Sequence, residues 1–217
     1  MKYKYILFDL DGTLTDPKEG ITKSVQYALK KFNILIDDLD LLEKFIGPPL
    51  KDAFIEYYDF SEEQSFQAIE YFREYFKEKG MLQNKVYEHM EHLLIKLKEL
   101  GLILIVATSK PTVFAKQILE HFNLDIYFDF IIGSNLDGTR SKKGQIISYI
   151  IDNCNITNVK EVLMVGDRKH DIIGAEENNV DSIGVIYGYG SIEELINANA
   201  TYIVENVMNI FEKIVTS

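Results

Sequence analysis

Short apolar runs alternating with stretches of helical periodicity dominate this 217-residue chain. Five runs stand out: Tyr5–Phe8, Leu102–Ala107, Phe130–Ile132, Val162–Val165 and Ser182–Ile186. A run apolar throughout is a strand buried on both faces, the condition of a parallel sheet covered by helices. Between them, Tyr87, Met90, Leu93, Leu94, Leu97 and Leu100 form one helical stripe that stops at Gly101. Pro111 opens another helical pattern as a good first helical residue. "GQIISYIIDNC" and "HDIIGAEENN" are two more. Strands alternating with helices predict an α/β domain with a mostly parallel sheet.

One segment breaks the alternation. Between Asp16 and Met81 only helical patterns occur, punctuated by Pro17, Gly47, Pro48 and Pro49. The chain therefore reads as an α/β core from residues 1–15 and 82–217, with a helical domain, 16–81, inserted after the first strand.

Composition narrows the partners. A formal net charge of −11 opposes binding to nucleic acid polymers or an anionic membrane surface. A small anionic substrate remains compatible if local cations or a metal receive it. The single cysteine, Cys154, excludes an internal disulfide and a cysteine-based zinc site, and fits a reducing cytoplasm. The apolar run after Lys2 and Lys4 is too short for a signal peptide or membrane span. Nothing in the sequence sets the oligomeric state.

Ligands of an open parallel sheet bind beyond the carboxyl ends of its strands. Four such ends carry polar clusters: Asp9-Leu10-Asp11-Gly12-Thr13, Thr108-Ser109-Lys110-Pro111, the loop with Arg140, Ser141, Lys142 and Lys143, and Gly166-Asp167-Arg168-Lys169-His170-Asp171. Taken singly, each reads as a turn, a helix cap or surface charge. Together, acids at this density repel and call for a cation. An all-oxygen donor set suits Mg²⁺ rather than zinc. A carboxylate can then attack phosphorus, and a second carboxyl two residues on, on the same side of an extended chain, can pass the proton. Asp9 is the candidate nucleophile and Asp11 the candidate acid and base. The Thr108–Ser109 hydroxyls and a lysine are candidates to hold the phosphoryl oxygens.

The order DLDGTLTD, VATSK, loop lysine, VGDRKHD resembles the haloacid dehalogenase-like hydrolase superfamily over nearly the whole chain. The resemblance implies a Rossmann-like parallel-sheet core with a small all-helical cap, and a phosphatase mechanism through an aspartyl-phosphate. It implies Asp9 as nucleophile, Asp11 as acid and base, Thr108 as phosphate-binding hydroxyl, and Lys143 as the lysine holding the phosphoryl group, with Lys142 as the rival. Mg²⁺ ligands would be Asp9, the Asp11 backbone carbonyl and Asp167, with Asp171 supporting. "DPKEGITKSVQYAL", "FIGPPL", "TSKP", "GSNLDGTRSKKG" and "GVIYGYGS" further resemble a branch described as 5'-nucleotidase-like or phosphoglycolate phosphatase-like. A small soluble phosphate monoester is the expected substrate.

Other chemistries fit the same clusters less well. A dehalogenase needs no acid, because halide leaves unprotonated, so Asp11 argues against it. A phosphosugar mutase on the same fold is the alternative that the sequence does not exclude; its cap would have to bind a phosphorylated product and return it, and a bisphosphate should activate it. A receiver-type phospho-acceptor domain has no reason to carry the helical insertion. The tetrapeptide LDGT recurs at Leu136–Thr139, but Asn135 replaces the leading acid, so this copy reads as a turn. His89 and His92 have ligand-like spacing without a third ligand. The "YGYG" loop, Tyr187–Gly190, is expected at the same sheet edge as the clusters.

Overall fold

A computed structural model describes residues 2–217. Its strands are β1 (Tyr5–Phe8), β2 (Thr15–Asp16), β3 (Lys85–Val86), β4 (Ile103–Pro111), β5 (Phe130–Ser134), β6 (Val162–Gly166), β7 (Asp181–Val185) and β8 (Tyr202–Val204). Its α-helices are α1 (Lys18–Lys31), α2 (Leu50–Tyr58), α3 (Glu62–Glu78), α4 (Met90–Glu99), α5 (Thr112–His121), α6 (Lys143–Asn153), α7 (Lys169–Glu177), α8 (Ile192–Asn197) and α9 (Val207–Thr216). Two compact units result: Pro17–Lys85, and the segment up to Asp16 joined with Val86–Ser217.

The larger unit is an α/β Rossmann-like fold. Six parallel strands lie in the order β5-β4-β1-β6-β7-β8, while β2 and β3 pair separately. Tyr5–Phe8 registers with Ile103–Val106 on one side and Val162–Val165 on the other. Central strands must be apolar on both faces: Ile6, Leu7, Phe8 and every residue of β6 are buried. Leu7, Ile105, Met164 and Val162 pack with Ile146, Ile147 and Ile150 of α6 and Ala175 of α7. Each fully buried Leu, Ile, Val or Met among these contributes about 1.5–3 kcal/mol.

Four details depart from the sequence reading. A sixth strand, β8, pairs with the open edge of β7, and α9 follows it. Three residues are too few to register as an apolar run; the free edge of β7 recruits them. The helix after residue 87 begins only at Met90, because His89 has φ 65° and cannot continue a right-handed turn. Pro111 ends β4 rather than opening α5, with ψ 133°. Finally, Leu39–Phe45 is a 3₁₀ segment.

The smaller unit is helical. Its core is aromatic: Phe54 stacks on Phe60 at 5.7 Å, and Phe60 meets Phe32 at 4.7 Å. Ser61 and Gln64 exchange capping bonds at the start of α3. Lys18 pairs with Asp40 and Glu43, and Lys51 with Glu62. Among the described residues no helix is long and apolar enough to cross a membrane.

Candidate active site

The strand order decides where a site can form. The chain builds β4 and β5 on one side of β1, then returns to place β6, β7 and β8 on the other. At that reversal the loops after β1 and β6 diverge and leave a crevice. Asp9 follows β1 and Asp167 follows β6.

The Asp9 N–H donates to Val165 O at 2.9 Å, so the residue extends the ladder of β1 by one position. Its Oδ1 accepts from the Leu10 N–H at 2.7 Å and lies 2.8 Å from Lys143 Nζ. Lys143 Nζ also stands 2.7 Å from Asp171 Oδ1 and donates to Ala107 O at 2.9 Å. The ammonium is thus paired with two carboxylates and donates to a carbonyl, while the buried Asp171 Oδ1, close as it is, has no hydrogen-bond partner. Burial disfavours the Lys143 charge, but Asp171 and Asp9 outweigh it and hold the group above its ordinary value. Lys143 is 4% exposed, whereas Lys142 beside it is exposed.

Helices α6 and α7 come together at two glycines. A Cβ on Gly174 would lie 2.7 Å from Gly144 N and 2.9 Å from Lys143 Cβ. The Asn178 amide donates to both Gly144 O (3.0 Å) and Gly174 O (2.8 Å), tying the helices together there. This close approach carries Lys143, the first residue of α6, to the carboxylates.

Asp167 is fully buried and accepts from the Tyr189 N–H at 2.8 Å and the Thr13 hydroxyl at 3.3 Å. Gly12, at φ 84°, passes so close that a Cβ would overlap the Asp167 carboxylate. Asp9, Asp167 and Asp171 present oxygens within 4.8 Å of one another. Burial pushes the Asp167 carboxyl well above the usual range, and Asp171 and Asp9 push it further. Asp171 is pushed up to about 6, by burial and Asp9 against the pull of Lys143. Lys143 offsets Asp9 and Asp171, and the charge of Arg168 bears on Asp167, so the three carboxylates outnumber the cations acting on them and the group carries excess negative charge. That charge and the all-oxygen donor set fit a hard divalent cation such as Mg²⁺.

Asp11 lies apart from this group through its side chain. Its Oδ2 is 2.8 Å from Lys110 Nζ, while its buried Oδ1 has no hydrogen-bond partner. Burial raises the Asp11 carboxyl, Lys110 opposes the shift, and Asp9 adds to it. Thr108 is 2% exposed and its hydroxyl accepts from the Lys110 N–H at 3.2 Å. Ser109 is half-buried. The pairing of β4 with β5 shifts register between Thr108 and Pro111, an irregularity at the segment that carries these groups.

The contacts of Lys110 with Asp11 and of Lys143 with Asp9 and Asp171 thus join members of all four strand-end clusters, whereas Arg140 turns back to Gly133 O and Asn135. The sequence reading did not single out Lys110, whose signal was its place between Ser109 and Pro111. It also passed over Thr13 and assigned no contact to Tyr189. The second LDGT copy closes on itself: the Asn135 N–H donates to Thr139 O at 3.0 Å, and Asp137 accepts from the Thr139 N–H at 2.9 Å. His89 and His92 are exposed. His170 is held below its ordinary value by burial, Arg168 and Lys169.

Comparison with known proteins agrees with this arrangement. The family model described as haloacid dehalogenase-like hydrolase matches residues 6–185. A 5'-nucleotidase of Pseudomonas aeruginosa is 48% identical over 195 residues, covering 90% of this chain and 88% of that protein. The tyrosine-protein kinase PtkA of Mycobacterium tuberculosis is 32% identical over 207 residues, 95% of this chain and 70% of that protein. A crystal structure described as a predicted phosphatase from Clostridium acetobutylicum superposes with a TM-score of 0.98 at 57% identity, covering 100% of both chains. A parallel sheet with acids, hydroxyls and a lysine at its switch point, matched over most of its length by this family's pattern, makes the chain a haloacid dehalogenase-like hydrolase, a phosphoric monoester hydrolase.

Proposed function

We propose that the protein is a Mg²⁺-dependent phosphomonoesterase that forms an aspartyl-phosphate on Asp9 and acts on a nucleoside 5'-monophosphate. The observation that carries the mechanism is Asp11. It is a buried carboxyl two residues from Asp9, raised by burial, with one oxygen lacking any hydrogen-bond partner. That is the group needed to protonate a leaving alkoxide, and a halide would not use it.

In the first step an Asp9 carboxylate oxygen bonds to phosphorus, the ester P–O bond breaks, and Asp11 gives its proton to the departing oxygen. In the second, Asp11 takes a proton from water, the water oxygen bonds to phosphorus, and the bond to Asp9 breaks, releasing phosphate. Lys143, 2.8 Å from its carboxylate, positions Asp9, and the Thr108 and Ser109 hydroxyls hold phosphoryl oxygens. Asp9, Asp167 and the Asp11 carbonyl, with Asp171 in support, would hold the Mg²⁺, which when bound would supply positive charge against the repulsion between carboxylate and phosphate.

That a relative of 48% identity is named 5'-nucleotidase supports a nucleoside monophosphate as the substrate over phosphoglycolate, the other substrate suggested by the sequence. We read Pro17–Lys85 as the cap that selects the substrate. The test is a panel of nucleoside monophosphates, phosphoglycolate and sugar phosphates, run with Mg²⁺ and with chelator. A nucleoside monophosphate should lead by about tenfold in kcat/KM and fail with chelator; phosphoglycolate leading would overturn the substrate assignment. Full activity in Asp9→Asn would overturn the mechanism. Because one relative is named a tyrosine kinase, ATP with a tyrosine peptide belongs in the panel; phosphotyrosine formation would replace water as the acceptor.

A further inference from the structure

The loop after β7, Tyr187-Gly188-Tyr189-Gly190, grips two different parts of the molecule. On one side it holds Asp167. The Tyr189 N–H donates to Asp167 Oδ2 at 2.8 Å, and a Cβ on Gly188 would overlap both the Asp167 side chain and the Gly12 carbonyl. On the other side it holds the connecting strands. The Tyr187 hydroxyl donates to Thr13 O at 2.9 Å, and its ring meets Tyr87 edge-on at 4.8 Å. The Tyr189 hydroxyl bonds to Asp16 Oδ1. Asp16 is the last residue of β2, where the chain leaves the sheet, and Tyr87 is the first after β3, where it returns.

One residue therefore spans both grips. Tyr189 orients a buried carboxylate with its backbone and is itself anchored by its hydroxyl. Asp167 is fully buried, so the donors that fix its carboxylate decide which way its oxygens point. Without its anchor the loop loses the side-chain bond that keeps the Tyr189 N–H aimed at Asp167.

We propose that Tyr189 is a positioning residue that ties Asp167 to the outgoing strand at Asp16, so that divalent-cation affinity at Asp9, Asp167 and Asp171 depends on the Tyr189–Asp16 bond. The inference rests on the Mg²⁺ reading above. Partners that orient metal-ligating groups are worth about 10–100-fold in metal affinity or activity. Tyr189 acts one bond further out, so the expected effect of removing its hydroxyl is smaller, about fivefold.

The test is calorimetric titration of metal-stripped protein with Mg²⁺ alone, for wild type, Tyr189→Phe, Asp16→Ala and the double variant. Melting temperatures in EDTA serve as a control for folding. Each single variant should raise the Kd for Mg²⁺ about fivefold, and the double variant should add little to Tyr189→Phe, which already removes both the bond that Asp16→Ala breaks and the Tyr189 contact to Tyr87. A general loss of stability would lower the melting temperature without changing the Kd of the folded protein. An unchanged Kd in Tyr189→Phe, or independent multiplication of the two effects, overturns the tether while leaving the Mg²⁺ reading intact. Absence of Mg²⁺ binding by wild type overturns both.

Discussion

The ammonium of Lys110 stands 2.8 Å from Asp11 Oδ2 in a pair whose side chains are almost wholly buried. It offsets part of the burial cost that raises the Asp11 carboxyl. Breaking a buried pair from one side leaves the other charge uncompensated. Lys110→Met should lower kcat/KM for p-nitrophenyl phosphate by about 10²-fold, the scale of a disturbed acid–base group. Lys110→Arg, which keeps the charge, should recover much of that loss. Steady-state kinetics of the two variants decide it; equal activity of Lys110→Met and wild type would separate Lys110 from the chemistry.

The acidic cluster should destabilise the metal-free protein. Burial raises Asp167 well above its ordinary range, so its ionised form is favoured less in the folded state than in the unfolded one. Stability is then lost as pH rises from the unfolded value, about 4, through the raised folded value. Asp167→Asn should melt a few degrees higher than wild type in EDTA near neutral pH, about 3 °C or more. The gap should close below about pH 4, where both carboxyls are protonated. Phosphatase activity should be lost in the same variant. Thermal melts across pH, paired with activity, test both halves.

Close approach of α6 and α7 sets the position of Lys143. Gly174→Ala puts a methyl group 2.7 Å from Gly144 N and 2.9 Å from Lys143 Cβ, so one helix must move. Overpacking of this kind costs about 1–3 kcal/mol. Displacing a site group by about 1 Å can cost up to 10²-fold in rate. The expected result is a folded protein by circular dichroism with kcat reduced about tenfold or more. Retention of full kcat would show that Lys143 tolerates the shift.

Restoring the leading acid of the second LDGT copy should do nothing. The Asn135–Thr139 turn satisfies its own polar groups, with the Asn135 side chain donating to the Thr139 hydroxyl at 2.8 Å. Asn135→Asp should keep activity within about twofold, as exposed substitutions usually do. Asp9→Asn combined with Asn135→Asp should stay as inactive as Asp9→Asn alone. Any rescue by the added acid would contradict this assignment.

Much of the fold was legible because burial on both faces leaves a local mark. Val162–Val165 is apolar without alternation, and it is a central strand. The edge strand Tyr202–Val204 left no such mark; with three residues its existence depends on pairing to Ile183–Val185. Strand order was equally silent, since nothing within Tyr5–Phe8 says that Ile103 and Val162 will flank Tyr5.

The candidate site divides in the same way. Asp9, Asp11, Thr108, Asp167 and Asp171 could be picked from sequence because each follows an apolar run, and parallel strands bring such positions to one edge. Lys142 and Lys143 could not be separated by composition. Successive residues turn by about 100° at a helix start, so one points inward and the other to solvent. Lys110 sits in an irregular stretch of β4 where period-two alternation gives no guide to its direction. The sequence alone determined which chemical groups stand at the strand ends. The tertiary structure decided which charges neutralise one another: Lys143 with Asp9 and Asp171, Lys110 with Asp11, and Asp167 left with N–H and hydroxyl donors. Those pairings depend on angstrom-scale separations and burial between residues far apart in the chain, and no local pattern encodes them.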